Sequence, residues 1–168
     1  TDKTLDIVNQ YADVVLVHEW QNSFAKARNT LLPYLTTKWA LCIDGHEYIK
    51  KTGDVSTALL KDVEALNVKI TMEDLSSFVF PRIIRSQIKW FADVHNYPVL
   101  KTWADFFDFE IIHDREHLQT ENSTKERDKQ RSQMIFSILV DNFKKDKKDS
   151  RALYYLGQQC MYEKRWNE

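Results

Sequence analysis

Asp44, His46 and Glu47 fall within four consecutive residues, separated only by Gly45. Carboxylate and imidazole donors at that spacing could hold a divalent cation and, through it, a diphosphate. The same residues support a plainer reading. Asp-Gly is a strong two-residue hairpin signal, which would leave Glu47 as a solvated turn carboxylate. Five apolar residues, Trp39 to Ile43, lead into the cluster. They read as a strand buried on both faces, and ligands of open α/β sheets sit just beyond the carboxyl ends of such strands. A second apolar run, Phe106 to Ile112, ends in His113. His113 could be a third ligand, or a histidine leaving the core with a satisfied hydrogen bond.

The elements that must position these groups follow from periodicity and punctuation. A helix capped by Thr1 or Asp2 carries Leu5, Ile7, Val8 and Tyr11, and a β-branched strand is expected over Asp13–Val17. Ser23 caps a helix with Phe24, Ala27, Leu31 and Leu35 on one face, which Pro33 kinks or ends. The order helix, strand, helix, strand predicts a parallel sheet with crossovers. Asp54 starts a helix through Leu66, with a short strand at Val68–Ile70. Phe78–Arg85, interrupted by Pro81, is expected at a sheet edge, with Gln87–Phe91 as its antiparallel neighbour. A charged stretch from Glu116 to Arg131 leads into a helix bearing Met134, Ile135, Ile138 and Leu139. The run Lys144–Asp149 links it to a last helix starting near Ser150.

The totals narrow the function classes. With 168 residues the chain is one domain, or one domain with an appendage. A net charge of -1 gives no nucleic-acid footprint. No segment reaches the roughly 18 apolar residues of a membrane span, and no signal peptide is visible. Cys42 and Cys160 lack metal-type spacing and fit free thiols in a reducing, cytoplasmic setting. The chain begins Thr1-Asp2-Lys3-Thr4 with no initiator Met, as a fragment would.

Three stretches together carry a family likeness. Thr1-Asp2-Lys3-Thr4 is followed by Trp20-Gln21-Asn22-Ser23-Phe24-Ala25-Lys26-Ala27-Arg28-Asn29, and then by Trp39-Ala40-Leu41-Cys42-Ile43-Asp44-Gly45-His46-Glu47. In composition and spacing the chain resembles the family 2 glycosyltransferases, in particular bacterial and phage members followed by tetratricopeptide repeats. Pro81-Arg82-Ile83-Ile84-Arg85, Val94-His95-Asn96 and Ile112-His113 are similar to later family motifs. Leu156-Gly157, Cys160 and Trp166 fall at tetratricopeptide positions. Two departures stand out. His46 replaces the family's second metal-site Asp, as in the related polypeptide N-acetylgalactosaminyltransferases, whose metal motif is Asp-x-His. The family's first strand and helix, which hold the nucleotide base, would precede Thr1.

The resemblance implies a partial nucleotide-diphospho-sugar transferase domain with a Rossmann-like sheet over residues 1–131, and a helical tail over 132–168. It implies transfer of a sugar from a nucleotide-sugar donor to an acceptor (protein, glycan or other), with inversion and with Mn²⁺ or Mg²⁺ as cofactor. Asp44, His46 and His113 are then the metal candidates. Arg28, Asn29, Asp44, Arg82 and Arg85 are the donor-binding candidates, and His95 or Asp93 the base. Arg28 and Asn29 also suit an ordinary exposed helix position, and Arg82 and Arg85 suit protection of a sheet edge. Trp90 and Trp103 could stack on a sugar or simply fill the core. The alternative function is a non-catalytic interaction module derived from a truncated transferase. Such a module would bind a protein partner, or a second copy, through its sheet edge and tail. A metal-dependent hydrolase lacks a nucleophile-activating constellation.

Overall fold

The computed structural model describes residues 3–114 and 121–165 of a mixed α/β chain. Helices α1 (Thr4–Tyr11) and α2 (Phe24–Asn29) precede a 3-10 turn at Leu32–Tyr34 and strand β1 (Trp39–Leu41). Strand β2 (Glu47–Thr52), helix α3 (Val55–Leu59), and strands β3 (Ala65–Thr71) and β4 (Ser77–Arg85) follow. The two-residue strands β5 (Trp90–Phe91) and β6 (Tyr97–Pro98) pair with each other, and β7 (Trp103–His113) rejoins the main sheet. Helices α4 (Glu121–Lys145) and α5 (Ser150–Tyr162) form the tail.

The main sheet has the order β1-β4-β3-β7-β2. Its centre is β3, where Ala65, Leu66, Val68 and Ile70 are fully buried while Asn67 and Lys69 alternate toward the other face. Each large aliphatic buried there contributes roughly 1.5–3 kcal/mol. Ile83, Phe109 and Ile111 complete this core, with Ala58 of α3 covering it.

Strands β1 and β2 lie at opposite edges, yet only residues 42–46 join them. In a flat five-stranded sheet the two edges would stand about 19 Å apart. The step from Leu41 to Glu47 reaches about 20 Å only if fully extended. It is not extended, because the Glu47 N–H donates to the Asp44 carbonyl at 2.9 Å and closes a turn. The sheet therefore curls until its edges approach, and the turn spans the gap.

Several expectations are corrected. The sheet is mixed and mostly antiparallel; among the described strands only β3 and β7 run parallel. Asp13–Val17 forms no strand, since Val17 faces solvent and the segment has no ladder partner. The apolar run ahead of Asp44 is an edge strand with half-exposed side chains, not one buried on both faces, because β1 pairs with β4 alone. The turn at Asp44-Gly45 exists, but it joins opposite edges and not two hairpin neighbours. Strand β4 lies inside the sheet and runs through Pro81 without a break. The proline is tolerated because the ladder shifts there: Leu66 faces Ile83 but Asn67 faces Pro81, leaving Arg82 as an extra residue in a bulge. The expected neighbour, Gln87–Phe91, contributes instead to the small β5–β6 ladder. Helix α3 stops at Leu59, and Leu66 belongs to β3.

Other expectations hold. The Ser23 hydroxyl accepts from the Lys26 N–H at 3.2 Å, and the Asp54 carboxylate accepts from the Thr57 N–H at 3.1 Å, so both caps form. Helix α2 gives way before Pro33. The cap expected at Thr1 or Asp2 lies outside the described residues, as does Trp166. One boundary differs: the helix expected beyond the charged stretch begins at Glu121 and runs through Arg131, because Glu, Lys, Arg and Gln are good helix formers without needing burial. Ile138 and Leu139 of α4 pack with Val94, Phe24, Tyr155 and Leu156, which docks the tail on the sheet domain. Ser132 and Gln159 tie α4 to α5 through Glu163.

Gly53, at φ +28, ends β2 where any Cβ would lie 2.5 Å from the Asp108 Cβ and 2.9 Å from its carbonyl oxygen. Gly53→Ala is expected to destabilise the chain by about 1–3 kcal/mol, measured as a lower urea midpoint at unchanged slope.

Candidate functional site

The turn between the two sheet edges and the carboxyl end of β7 meet at an open cleft of about 650 Å³. Asp44, His46, Glu47, Arg28, Arg82 and His113 all line it. The ladder brings them together: Glu47 is the register partner of His113, and the Asp114 N–H donates to the His46 carbonyl at 2.9 Å.

Glu47 is the brace of the site. Its side chain is fully buried, with one oxygen accepting from Arg82 at 2.5 Å and the other from the Asp44 N–H at 2.8 Å. It is therefore not the solvated turn carboxylate that the sequence allowed. Arg82, itself only 9% exposed, points here because the β4 bulge turns it inward. It also lies 3.7 Å from the Asp44 carboxylate. The edge-protection role does not apply to it, since β4 is an inner strand.

Asp44 accepts from Arg28 at 2.8 Å. Burial alone would raise its pKa, but the charges of Arg28 and Arg82, with the Arg28 hydrogen bond, outweigh burial and hold it below the ordinary 3.8. Arg28 stacks over Trp90, its guanidinium carbon 4.6 Å from the ring centre. Burial pushes the neighbouring Cys42 thiol up, away from nucleophile chemistry.

His46 and His113 meet edge to face with their Nε2 atoms 2.7 Å apart. At that distance one nitrogen must carry a proton and the other accept it, so at least one imidazole is neutral. Beyond them, a Glu73 carboxylate oxygen stands 3.4 Å from the His113 Nδ1. One ligand atom each from His46, Glu47 and His113 lie within 4.8 Å of one another. The donor set fits a first-row divalent cation, with two limits. A shared cation needs the two nitrogens to part by roughly half an ångström or more, given metal–nitrogen bonds near 2.1 Å. Glu47 would also have to release one of its present partners.

The other candidates are distributed unevenly. His95 lines the same cleft, in a left-handed conformation at φ +49, stacked on Tyr155 with ring centres 4.0 Å apart. Burial against that ring, then the charges of Arg151 and Arg131, lower its pKa from 6.5. Asp93 lines a neighbouring cavity of about 530 Å³, and its carbonyl accepts from the Phe24 N–H. Asn29 is occupied on the backbone of Trp90, donating to the carbonyl at 2.9 Å and accepting from the N–H at 2.8 Å. Arg85 donates to the Val63 and Lys61 carbonyls and stacks on Trp39, outside the cleft. Trp90 is both core and cleft wall. Trp103 begins β7 at the end opposite His113, about 30 Å away along the strand.

Sequence reasoning missed Glu73, Tyr155, and Arg127 and Arg131, the last two of which also line the cleft. The arginines were legible in principle. With Met134 and Ile135 they form an i, i+4, i+7, i+8 stripe.

The comparisons with known proteins point to a class first. They support a distant glycosyltransferase relationship for this chain. The relatives that carry it are SPbeta prophage-derived glycosyltransferase SunS of Bacillus subtilis (strain 168) and glycosyltransferase SunS of Bacillus phage SPbeta. Each is 21% identical over 171 aligned positions, covering 95% of this chain and 40% of the relative. The chain thus spans about two-fifths of the length of the relatives it matches. No family model matches the chain. Among the described residues, no helix is long and apolar enough to cross a membrane.

Two outcomes follow from this geometry. Arg82→Ala leaves the buried Glu47 carboxylate without its cation, and is expected to cost about 3–5 kcal/mol in chemical denaturation. His95 binds protons more weakly folded than unfolded, so the stability it governs is complete above 6.5 and declines as pH falls below that value. The denaturation midpoint should therefore drop from pH 7 to pH 5, and His95→Phe, which keeps a ring against Tyr155, should flatten part of that drop.

Proposed function

We propose that this chain is part of a metal-dependent glycosyltransferase, with a nucleotide-diphospho-sugar transferase sheet domain followed by a helical tail. The observation that carries the reading is the convergence of Asp44, His46, His113, Arg28 and Arg82 on one cleft. The relationship to glycosyltransferases favours it independently.

In this reading His46 and His113 hold a divalent cation, Mn²⁺ or Mg²⁺, with Asp44 contacting it or the donor's ribose. When bound, the cation neutralises charge on the leaving diphosphate. Arg28 and Arg82 keep Asp44 ionised and fix its place in the donor site. His95, held neutral by its surroundings, is the candidate base. It takes the proton from the acceptor's nucleophile as that atom bonds to the anomeric carbon. The bond from that carbon to the phosphate oxygen breaks on the opposite face, and the electron pair leaves with the nucleoside diphosphate. Attack from the face opposite the leaving group inverts the configuration. Asn29 and Arg85 serve the scaffold: Asn29 fixes Trp90 beneath Arg28, and Arg85 ties β4 to the chain before β3.

Calorimetric titration of uridine diphosphate into the chain, with and without Mn²⁺, tests this. Binding should require manganese and weaken about tenfold or more in both His46→Ala and Asp44→Ala, as expected when a charge-assisted contact is lost. Failure of the wild-type chain to bind under either condition would overturn the donor site and favour the non-catalytic interaction module.

A further inference from the structure

We infer that the cavity of about 530 Å³ beside the cleft binds a neutral saccharide, held between the β5–β6 ladder, α2 and the junction of α4 with α5. Naming that saccharide as the acceptor rests on the reading of the cleft as a donor site; the binding itself does not.

Polar balance is the first argument. Among the described residues, Lys26, Lys145 and Arg151 line the cavity together with Asp93, Asp146 and Asp149, three cations with three carboxylates. A lining without net charge favours a ligand without net charge. Arg151 and Asp149 are engaged within the fold, on the His95 carbonyl and on the first N–H groups of α5. Lys26, Asp93 and Asn142 differ: among the described residues, their side chains hold no hydrogen bond or ion pair with the rest of the chain. Asp93 and Asn142 are nonetheless half-buried. Amine, carboxylate and amide together offer donors and acceptors to one ligand. A hydroxyl uses both, because it donates and accepts at once, and a sugar presents several.

The aromatic rim is the second argument. Phe91 is 60% exposed and meets Tyr97 edge to face, with ring centres 5.9 Å apart. Tyr97 and Tyr155 continue the wall, joined by Arg151, whose guanidinium carbon lies 4.2 Å and 4.8 Å from their ring centres. Rings with polar groups at their margins suit a pyranose, whose C–H face is apolar and whose hydroxyls lie at its edge. A polypeptide would be favoured by an open ladder edge, but β5 and β6 are two residues long and too short to take an added strand. Position is the third argument. Trp90 and Val94 wall both the cavity and the cleft, and Tyr155 lines the cavity while stacking on His95. The cavity then holds the body of the acceptor while its terminal hydroxyl enters the cleft at His95.

The test is saturation-transfer NMR of the chain with the methyl glycosides of glucose, galactose, mannose and N-acetylglucosamine, beside an uncharged glycine–serine peptide. At least one glycoside should bind, and its affinity should fall about tenfold in Phe91→Ala and in Asn142→Ala. Uridine diphosphate with Mn²⁺ should bind both variants as it binds the wild type, since neither residue lines the cleft. That control, with the far-ultraviolet circular dichroism of each variant, separates loss of the site from loss of the fold. Should no glycoside bind at tens of millimolar, or should both substitutions leave glycoside binding unchanged, the proposal is overturned. Binding of the peptide alone would overturn it too and assign the cavity to a polypeptide. Should a glycoside bind as expected while uridine diphosphate fails to bind the wild type, the saccharide site stands and its acceptor role falls with the donor reading.

Discussion

The site depends on a buried ion pair that holds a turn under constraint. Residues 42–46 must carry the chain between opposite edges of a five-stranded sheet, and Glu47 anchors the far end of that step. Its carboxylate accepts from Arg82 on one side and from the Asp44 amide on the other. The pair joins the end of β2 to the bulge of β4, which closes the curl. Asp44 and His46 then project from a turn whose two ends are fixed independently. Burying two charges is costly, and an apolar pair could have closed the sheet at less expense. What an apolar pair could not do is fix Asp44 through its backbone amide while a guanidinium lies beside its side chain.

The electrostatics follow from this arrangement. Arg28 and Arg82 hold Asp44 ionised despite its burial. The imidazoles of His46 and His113 share one hydrogen bond between their Nε2 atoms. Tyr155 and Arg151 of α5 pack on His95 and disfavour its protonation, with Arg151 donating to the His95 carbonyl at 2.7 Å. Asp44 and His95 are thus biased toward the ionised and the neutral form by different neighbours within one cleft.

Much of this was legible in the sequence, and the failures share a cause. The caps at Ser23 and Asp54 and the break at Pro33 are local features, and local chemistry fixed them; the link expected over Lys144–Asp149 is shorter, since α4 runs to Lys145. The cluster at Asp44–Glu47 and the histidine ending β7 were also visible, because donor atoms cannot be mistaken for core. Pairing partners were not visible. Trp39–Ile43 is apolar enough for a central strand, but centrality depends on how many neighbours a strand finds, and β1 finds one. Pro81 argued for an edge because sequence cannot show a bulge, which exists only in relation to Asn67 across the ladder. Glu47 looked like a turn carboxylate because its partner, Arg82, is distant in the chain. Arg127 and Arg131 fell within the charged stretch ahead of the expected helix, and only packing near Val94 shows which way α4 turns.

The shortness of the step from β1 to β2 makes it a gauge. Surface loops usually tolerate inserted residues, since each doubling of a flexible loop costs only about 0.6 kcal/mol. This connection differs because its length sets how far the sheet must curl. A longer connection would let the edges relax apart, and His46 would drift from His113 while every strand kept its ladder. The chain could then remain folded and yet lose its cluster. An insertion in this turn would therefore cost geometry, whereas one in the β5–β6 loop or the α4–α5 link would be felt in stability alone.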